Sequence, residues 1–188
     1  MPVSLRITAT LLALLLSACA APNLDTPEAR VTVTRDDEFL PYLAVGGKTV
    51  QFGTFPELRR VTVIARRDRK SGVLSTHARI MISYVQSLRR HYEVARNDRG
   101  ERLPMTEISA LGAGCRRPDC TLTEEYLIDI PEADVRAAQF KGYAFKVFER
   151  AGSDILFQIP PPLVQAIIEA ADKLADPAAK TVTAKKNG

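Results

Sequence analysis

Two cysteines near the middle of the chain have the spacing that most restricts the chemistry available to them. Cys115 and Cys120 are separated by Arg-Arg-Pro-Asp, and the Pro-Asp pair is typical of a turn. A turn can bring the two Cβ atoms within the ~4 Å that a disulfide requires. A metal site needs four ligands, and neither His77 nor His91 has a ligand spacing to this pair. We therefore predict a disulfide between Cys115 and Cys120, with two free thiols as the alternative.

Several polar residues are of the types that form a Ser-His-Asp hydrolase site, but the sequence lacks the motifs of such a site. The residues in question are Ser75, Ser83, His77, His91 and Asp98. No G-x-S-x-G nucleophile turn accompanies them. The two histidines stand alone on polar strands, which is typical of surface residues. We predict no catalytic residue here.

Three carboxylates and two glycines are further candidates, for an acid–base pair and for a phosphate-binding loop respectively. Glu124, Glu125 and Asp129 lie on one predicted strand. Glu125 and Asp129 share one face of it, and we expect that face to be solvated rather than to hold an acid–base pair across a cleft. The segment Gly112-Ala-Gly114 is too short for a phosphate-binding loop, and no Lys-Ser or Lys-Thr follows it. The sequence therefore predicts neither a metal site nor a cofactor.

Positive charge is concentrated in one region of the chain. Residues 59–102 carry a net charge of +8, whereas residues 19–58 carry −3 and residues 103–175 carry −4. Four basic residues cluster about one predicted turn: Arg66, Arg67, Arg69 and Lys70. This patch favours binding to an anionic envelope surface, such as lipid headgroups, an acidic glycan or an acidic envelope protein. The alternative is that these side chains stand on solvated faces and pair with the acidic segments.

The N-terminus has the pattern of an export signal. Arg6 precedes the ten-residue apolar run Ile7–Leu16, which is too short to span a bilayer as a helix. The tetrapeptide Leu16-Ser-Ala-Cys19 resembles the lipobox of bacterial lipoproteins. That resemblance covers about the first 20 residues, and the alternative is an ordinary signal peptide in which Cys19 is an incidental thiol.

The lipobox resemblance implies a membrane address. In that class, the signal peptide (1–18) is removed and Cys19 receives acyl chains such as palmitate, which anchor the protein stably. Because Ala20 rather than Asp follows the cysteine, the resemblance implies the periplasmic face of the outer membrane. Residues 19–29, with two prolines, are predicted to be a lipidated tether. Export also means an oxidising compartment, which favours the disulfide and makes nucleic acid an unsuitable partner.

Most of the remaining chain alternates apolar and polar residues with the period of a strand. The predicted strands include 30–35, 48–52, 58–67, 122–130, 143–147 and 155–159. Gly46-Gly47 and residues 97–100 are predicted turns, residues 110–114 a loop, and residues 131–135 a short helical turn. Residues 73–92 fit both a strand and a helix; we favour the strand because it buries Ile80, Ile82 and Tyr84 on one face.

The C-terminal part adds one helix to this pattern. After Pro160-Pro-Pro162, an apolar stripe at helical spacing comprises Val164, Ile167, Ile168, Ala171 and Leu174. Residues 176–188 are predicted to be a disordered tail. The sequence thus predicts one mainly β domain (30–175), an antiparallel sandwich or rolled sheet with a covering C-terminal helix.

Two functions are consistent with these features. The first is a non-catalytic binding or scaffold module, held by Cys19 in the cell envelope. The alternative is an envelope hydrolase acting on glycan or peptide, for which a pocket lined by a histidine with carboxylates within hydrogen-bond reach would be the evidence.

Overall fold

The computed structural model of the protein describes residues 31–35, 39–116 and 119–174. Within these ranges the chain forms eleven strands and two helices. The strands are β1 (Val31–Arg35), β2 (Tyr42–Gly47), β3 (Val50–Thr54), β4 (Glu57–Asp68), β5 (Leu74–Gln86), β6 (Tyr92–Asn97), β7 (Arg102–Leu103), β8 (Met105–Arg116), β9 (Asp119–Ile130), β10 (Tyr143–Glu149) and β11 (Asp154–Ile159). The helices are α1 (Glu132–Ala137) and α2 (Pro161–Lys173). The predicted signal peptide, Cys19, the tether and the tail lie outside the described residues.

The strands form two antiparallel sheets, so the predicted mainly β fold is confirmed. In the larger sheet the strand order is β1-β2-β4-β5-β9-β8. One edge of β4 has two partners: its first half pairs with β3, and its second half pairs with β2. The smaller sheet has the order β11-β10-β6-β7. The larger sheet does not close into a barrel, which agrees with a sandwich or rolled sheet.

The core lies between the inner face of the larger sheet and a cover made of the smaller sheet and α2. Rings from the two sheets meet edge to face at Phe52 and Phe157, and again at Tyr92 and Tyr126. Helix α2 contacts β1, β2 and β4. Its predicted apolar stripe is confirmed: Val164, Ile167, Ile168 and Ala171 are buried, and Leu174 packs against the core.

The helix can approach β2 closely because a glycine faces it. A Cβ on Gly47 would lie 2.9 Å from Leu163 Cδ1 and 3.0 Å from Ile167 Cδ1. The predicted turn at Gly46-Gly47 is wrong, since both glycines belong to β2. The glycines there provide room for α2 instead of a reversal of the chain.

The ambiguous segment 73–92 is a strand over Leu74–Gln86, as predicted. Its even-numbered residues from Leu74 to Tyr84 are buried in strict alternation. Eleven residue pairs join it to β4 and eleven join it to β9. Strand partners on both sides satisfy its backbone groups, and the helical spacing in the same segment has no counterpart in the fold.

The predicted loop at residues 110–114 is part of β8 instead. Ala110 and Gly112 pair with Glu124 and Leu122 of β9. The small residues carry little strand preference of their own, and the neighbouring strand imposes the extended backbone. In the part of the chain that the structure describes, no helix has both the length and the apolar content needed to cross a bilayer.

Candidate functional site

The four basic residues predicted as an anion-binding patch lie at the end of β4 and in the turn that follows. The structure gives three of them partners within the protein. Arg67 donates from Nη1 to the carbonyl of Gly72 at 2.7 Å, and Arg69 donates from Nε to the carbonyl of Leu40 at 2.9 Å. The Arg66 guanidinium lies 5.1 Å from the centre of the Tyr42 ring. Lys70 is exposed. The cluster therefore joins the β4–β5 turn to the 39–42 segment.

Several other arginines of the basic region pair with carboxylates that are distant in sequence. Arg90 Nη1 lies 2.7 Å from Glu57 Oε2, and Arg99 Nη2 lies 2.7 Å from Asp134 Oδ1. Arg79 pairs with Glu125 through its Nε. The local charge of +8 is therefore largely balanced by acidic side chains brought in from neighbouring strands and from α1. This pairing was the alternative stated for the sequence.

The expectation that Glu125 and Asp129 share a solvated face is wrong for Glu125, which is buried, whereas Asp129 is exposed. Glu124 is fully buried and faces the core, whereas Glu125 lies on the opposite face of β9 and is 7% exposed. Adjacent residues of a strand point to opposite faces, so the pair contributes one carboxylate to each side of the sheet. Each buried carboxylate is stabilised by hydrogen bonds from a cation or a hydroxyl group.

The Glu124 carboxylate is the centre of a buried hydrogen-bond cluster. It accepts from the hydroxyls of Tyr84 and Tyr126, the latter at 2.5 Å, and from Arg89 Nη2 at 3.3 Å. The backbone N–H of Arg90 donates to it at 3.1 Å and to the Tyr84 hydroxyl at 2.9 Å. The Arg90 guanidinium also covers the Tyr84 ring at 4.4 Å. The cluster therefore fixes the 87–91 connection across the ends of β5 and β9.

Electrostatics in this cluster keep Glu124 ionised. Burial by itself would raise the pKa of Glu124, but the hydrogen bonds from Tyr126, Tyr84 and Arg89 outweigh it and lower the pKa below its usual value. Burial and the adjacent carboxylate raise the pKa of both tyrosines. The hydroxyls therefore remain donors and the carboxylate remains an acceptor. The arrangement stabilises a fixed charge rather than moving a proton.

The sequence contains a signal for the buried carboxylate of this cluster. Glu124 is an even-numbered residue like Tyr126, Ile128 and Ile130, so the alternation of the strand predicts all four on one face. An acidic residue on an apolar face indicates a buried, partnered carboxylate. Its partners, Tyr84 and Arg89, could not be assigned from spacing because they lie 40 and 35 residues away.

His77 has a carboxylate partner, although not the one considered from the sequence. Its Nδ1 lies 2.7 Å from Asp129 Oδ1, on the outer face of the larger sheet. Ser75, the nearest serine in sequence, instead donates to the carbonyl of Arg66 at 3.4 Å. Asp98 pairs with Lys141, far along the chain from His77. The structure therefore does not assemble a Ser-His-Asp site from these residues.

A polar groove lies on the outer face of the larger sheet, which neither the smaller sheet nor α2 covers. Its volume is about 450 Å³. It is lined by Thr49, Gln51, Arg60, Thr62, Arg79, Met81 and Glu125. We call these seven residues the outer groove. A second groove, of about 430 Å³ and mainly apolar, lies beside Phe52 and Pro160, and neither groove is lined by His77 or His91.

The outer groove contains guanidinium groups with unused donors. Arg60 Nε donates to Gln51 at 3.2 Å, and Arg79 Nε donates to Glu125. Among the described residues, no protein acceptor is assigned to the Nη groups of either arginine. The hydroxyls of Thr49 and Thr62 bond each other at 2.7 Å. Paired Nη groups of this kind bind carboxylate or phosphate oxygens, often two at a time.

The two central cysteines lie on paired strands. Arg116 is opposite Asp119 in the β8–β9 register, and continuing that register by one residue places Cys115 opposite Cys120. The side chain of Cys115 lies outside the described residues, so the disulfide stays a prediction. Among the described residues, no group of three or more histidine, cysteine or acidic side chains has the arrangement of a metal site.

Comparison with known proteins gave no match to the chain among family models, curated proteins or solved structures.

Proposed function

We propose that the protein is a lipid-anchored module on the periplasmic face of the outer membrane that binds an anionic component of the cell envelope without catalysing a reaction. The lipobox tetrapeptide ending in Cys19 supports the anchor. The outer groove supports the binding role. The anchor holds the groove near the envelope and keeps the local concentration of its ligand high, so that weak binding suffices.

The observation that carries the binding role is the pair of arginines in the outer groove. Arg60 and Arg79 are on adjacent strands, and Thr62 of β4 lies directly opposite Arg79. Glu125 holds the Nε side of Arg79, which orients its planar fork. A carboxylate or phosphate in the groove would complete the hydrogen bonds of both side chains.

Two features favour binding over hydrolysis. The best-organised carboxylate, Glu124, is fully buried and already accepts from three side chains, so a substrate has no access to it. The hydroxyls in the groove belong to Thr49 and Thr62, which are hydrogen-bonded to each other. The residues that line the groove include no histidine that could activate either hydroxyl. These features suit a fixed polar surface that holds an anion.

Sedimentation with envelope fragments tests this proposal. The chain from Ala20 onward, which lacks the lipid anchor, and its Arg60→Gln variant are compared at low and high salt. Because a hydrogen bond to a charged group contributes roughly 1.5–3 kcal/mol, we expect binding to weaken by about tenfold at low salt. Arg102→Gln is the matched control, since Arg102 is exposed on β7 of the smaller sheet. Equal binding by all three proteins would contradict a role for the groove.

A further inference from the structure

We propose that the protein pairs with a second copy of itself through strand β11, so that the smaller sheets of two molecules join into one. Strand β11 is the outer strand of that sheet, whose order is β11-β10-β6-β7. The surface concerned is the side of Asp154–Ile159 that faces away from β10. We call it the β11 edge. The pairing depends on neither the lipid anchor nor the outer groove.

Backbone hydrogen bonds show which groups of β11 face outward. In an antiparallel pair, residues that bond the partner strand alternate with residues whose N–H and C=O point away from it. The Glu149 N–H donates to the Ser153 carbonyl at 2.8 Å, so Ser153 bonds the partner strand. The alternation then directs the N–H and C=O of Asp154, Leu156 and Gln158 outward. Within the part of the chain that the structure describes, β11 has no strand partner besides β10.

A two-fold axis through Leu156 provides a partner for every one of these groups. When two β11 strands run antiparallel about this axis, Leu156 lies opposite Leu156 of the second copy, and Asp154 lies opposite Gln158 in both directions. Each of the three pairs exchanges two N–H···O=C bonds, so no outward group of either β11 strand is left over. An axis through Ile155 or Phe157 instead places Gln158 or Asp154 opposite a residue outside β11. The strand is therefore complementary to itself in one register.

The side chains of the β11 edge suit this register. Leu156 is 43% exposed, and the pairing places the two leucines side by side on the outer face of the smaller sheets. The Gln158 amide can donate to the Asp154 carboxylate opposite it, and Lys146 Nζ already holds that carboxylate at 2.5 Å. No like charges lie directly opposite each other. Cross-strand pairs of these types stabilise a sheet.

The other outer strands have features that protect an edge from pairing. The register of β1 with β2 is irregular, and β8 contains a bulge at Ile108. Strand β7 has two residues, and β3 contains Gly53 at a φ of +72°. Bulges and short edge strands are the usual means of preventing edge-to-edge association. Strand β11 pairs with β10 through six consecutive residues without a shift and contains neither proline nor lysine.

The size of the contact sets its strength. Six residues of strand extend for ~20 Å, so the buried area belongs among the small interfaces, below ~1,200 Å². The apolar groove beside Phe52 and Pro160 adds to it, because the same register brings the turn at residues 150–152 of the second copy level with Pro160. We therefore expect a dimer that forms reversibly and that oxidation of well-placed thiols can trap.

Cysteine crosslinking tests the register directly. Leu156→Cys and Gln158→Cys are made singly in the full, processed chain and oxidised with copper phenanthroline in mild detergent. Opposite residues have Cα atoms ~5.5 Å apart, which a disulfide can bridge. The two copies of residue 158 are four residues out of register, or ~14 Å apart, which is too far. The wild-type protein is the control for the native thiols.

We expect Leu156→Cys to give a product of twice the chain mass, and Gln158→Cys to give no more than the wild type. No crosslink at residue 156, or equal yields from the two variants, would overturn the inference. A product of Leu156→Cys with a different protein would give the β11 edge another partner and overturn it as well.

A charge variant tests the interface independently of residue 156 as a crosslinking site. The double variant Asp154→Cys/Gln158→Cys should also crosslink, because these residues lie opposite each other. Adding Leu156→Lys opposes two like charges at the axis and should lower the yield about fivefold or more. Leu111→Lys, at a 66% exposed position of β8, is the matched control and should leave the yield unchanged. Equal yields with the two lysine variants would contradict the proposed axis.

Discussion

Tyr126 donates a 2.5 Å hydrogen bond to Glu124, two residues earlier on the same strand and on the same buried face. The bond matters because Glu124 is a fully buried charge in a mainly apolar core. Removing its charge would leave Arg89 without its buried partner and the two tyrosine hydroxyls with a weaker acceptor. The first prediction concerns this carboxylate.

Glu124→Gln should lower the free energy of unfolding at pH 7 by about 2–3 kcal/mol, since one partner of a largely buried ion pair is neutralised. Urea denaturation measures the change. Glu107→Gln is the control, because Glu107 also pairs with Arg89 but is 44% exposed, and it should cost about 1 kcal/mol or less. A Glu124→Gln protein as stable as the control would contradict a stabilising role for the cluster.

Acidification should remove the contribution of the ionised Glu124 carboxylate to the free energy of unfolding. Burial raises the pKa of this carboxyl, but its hydrogen bonds lower it by more, so the pKa in the folded state lies below the usual 4.5. A depressed pKa contributes stability above the unfolded-state pKa, and that contribution is lost as the pH falls through the folded-state pKa. The stability difference between wild type and Glu124→Gln should therefore be constant near neutrality and shrink below pH 4.5. A difference that grows in acid would contradict this assignment.

Ile168→Asp should destabilise the protein strongly. Ile168 is 5% exposed on the face of α2 that packs on the larger sheet, and an unpaired charge there is costly. We expect a loss of at least about 3 kcal/mol, or failure to fold, measured by thermal and urea unfolding. Lys173→Asp, at an exposed position of the same helix, should change stability by ~1 kcal/mol or less.

The predicted disulfide between Cys115 and Cys120 closes a six-residue loop. Such a short loop restricts the unfolded chain only modestly, so its loss should cost ~1–3 kcal/mol and leave the fold intact. Intact mass after alkylation, with and without reductant, tests the bond. Alkylation of both thiols without reductant would show that they are free.

Lipidation predicts a change of location. Cys19→Ser should release the protein from the membrane into the soluble periplasmic fraction, because the acyl chains supply the anchor. The Cys115→Ser/Cys120→Ser double variant removes two thiols elsewhere and should remain with the membrane. If Cys19→Ser stays membrane-bound through washing, the lipid is not the anchor.

Alternation of side chains was sufficient to predict most strands, including β5, where Ile80, Ile82 and Tyr84 share a buried face. It failed at Gly46-Gly47 and Ala110–Gly114, because small residues take their extended backbone from a neighbouring strand. The sequence alone also could not show which arginine pairs with which carboxylate. Arg79 and Glu125 are 46 residues apart, and only the register of β5 with β9 shows that they meet. The same difficulty applies to the predicted patch of Arg66, Arg67, Arg69 and Lys70, since Arg66 contacts Tyr42 and Arg69 bonds Leu40, both in a distant segment.

Strands β5 and β9 are the seam between two locally formed hairpins, β4–β5 and β8–β9, and the chain between them is long. Four side-chain bonds cross this seam, two on each side of its middle: His77–Asp129, Arg79–Glu125, Ser83–Thr123 and Tyr84–Glu124. A slip of one residue would break all four, expose Glu124 and bury Glu125 among apolar side chains. Apolar alternation distinguishes registers that differ by one residue, but it distinguishes poorly between registers that differ by two, because these keep the same face buried. The polar pairs therefore specify which of the many alignments of these two hairpins is the native one.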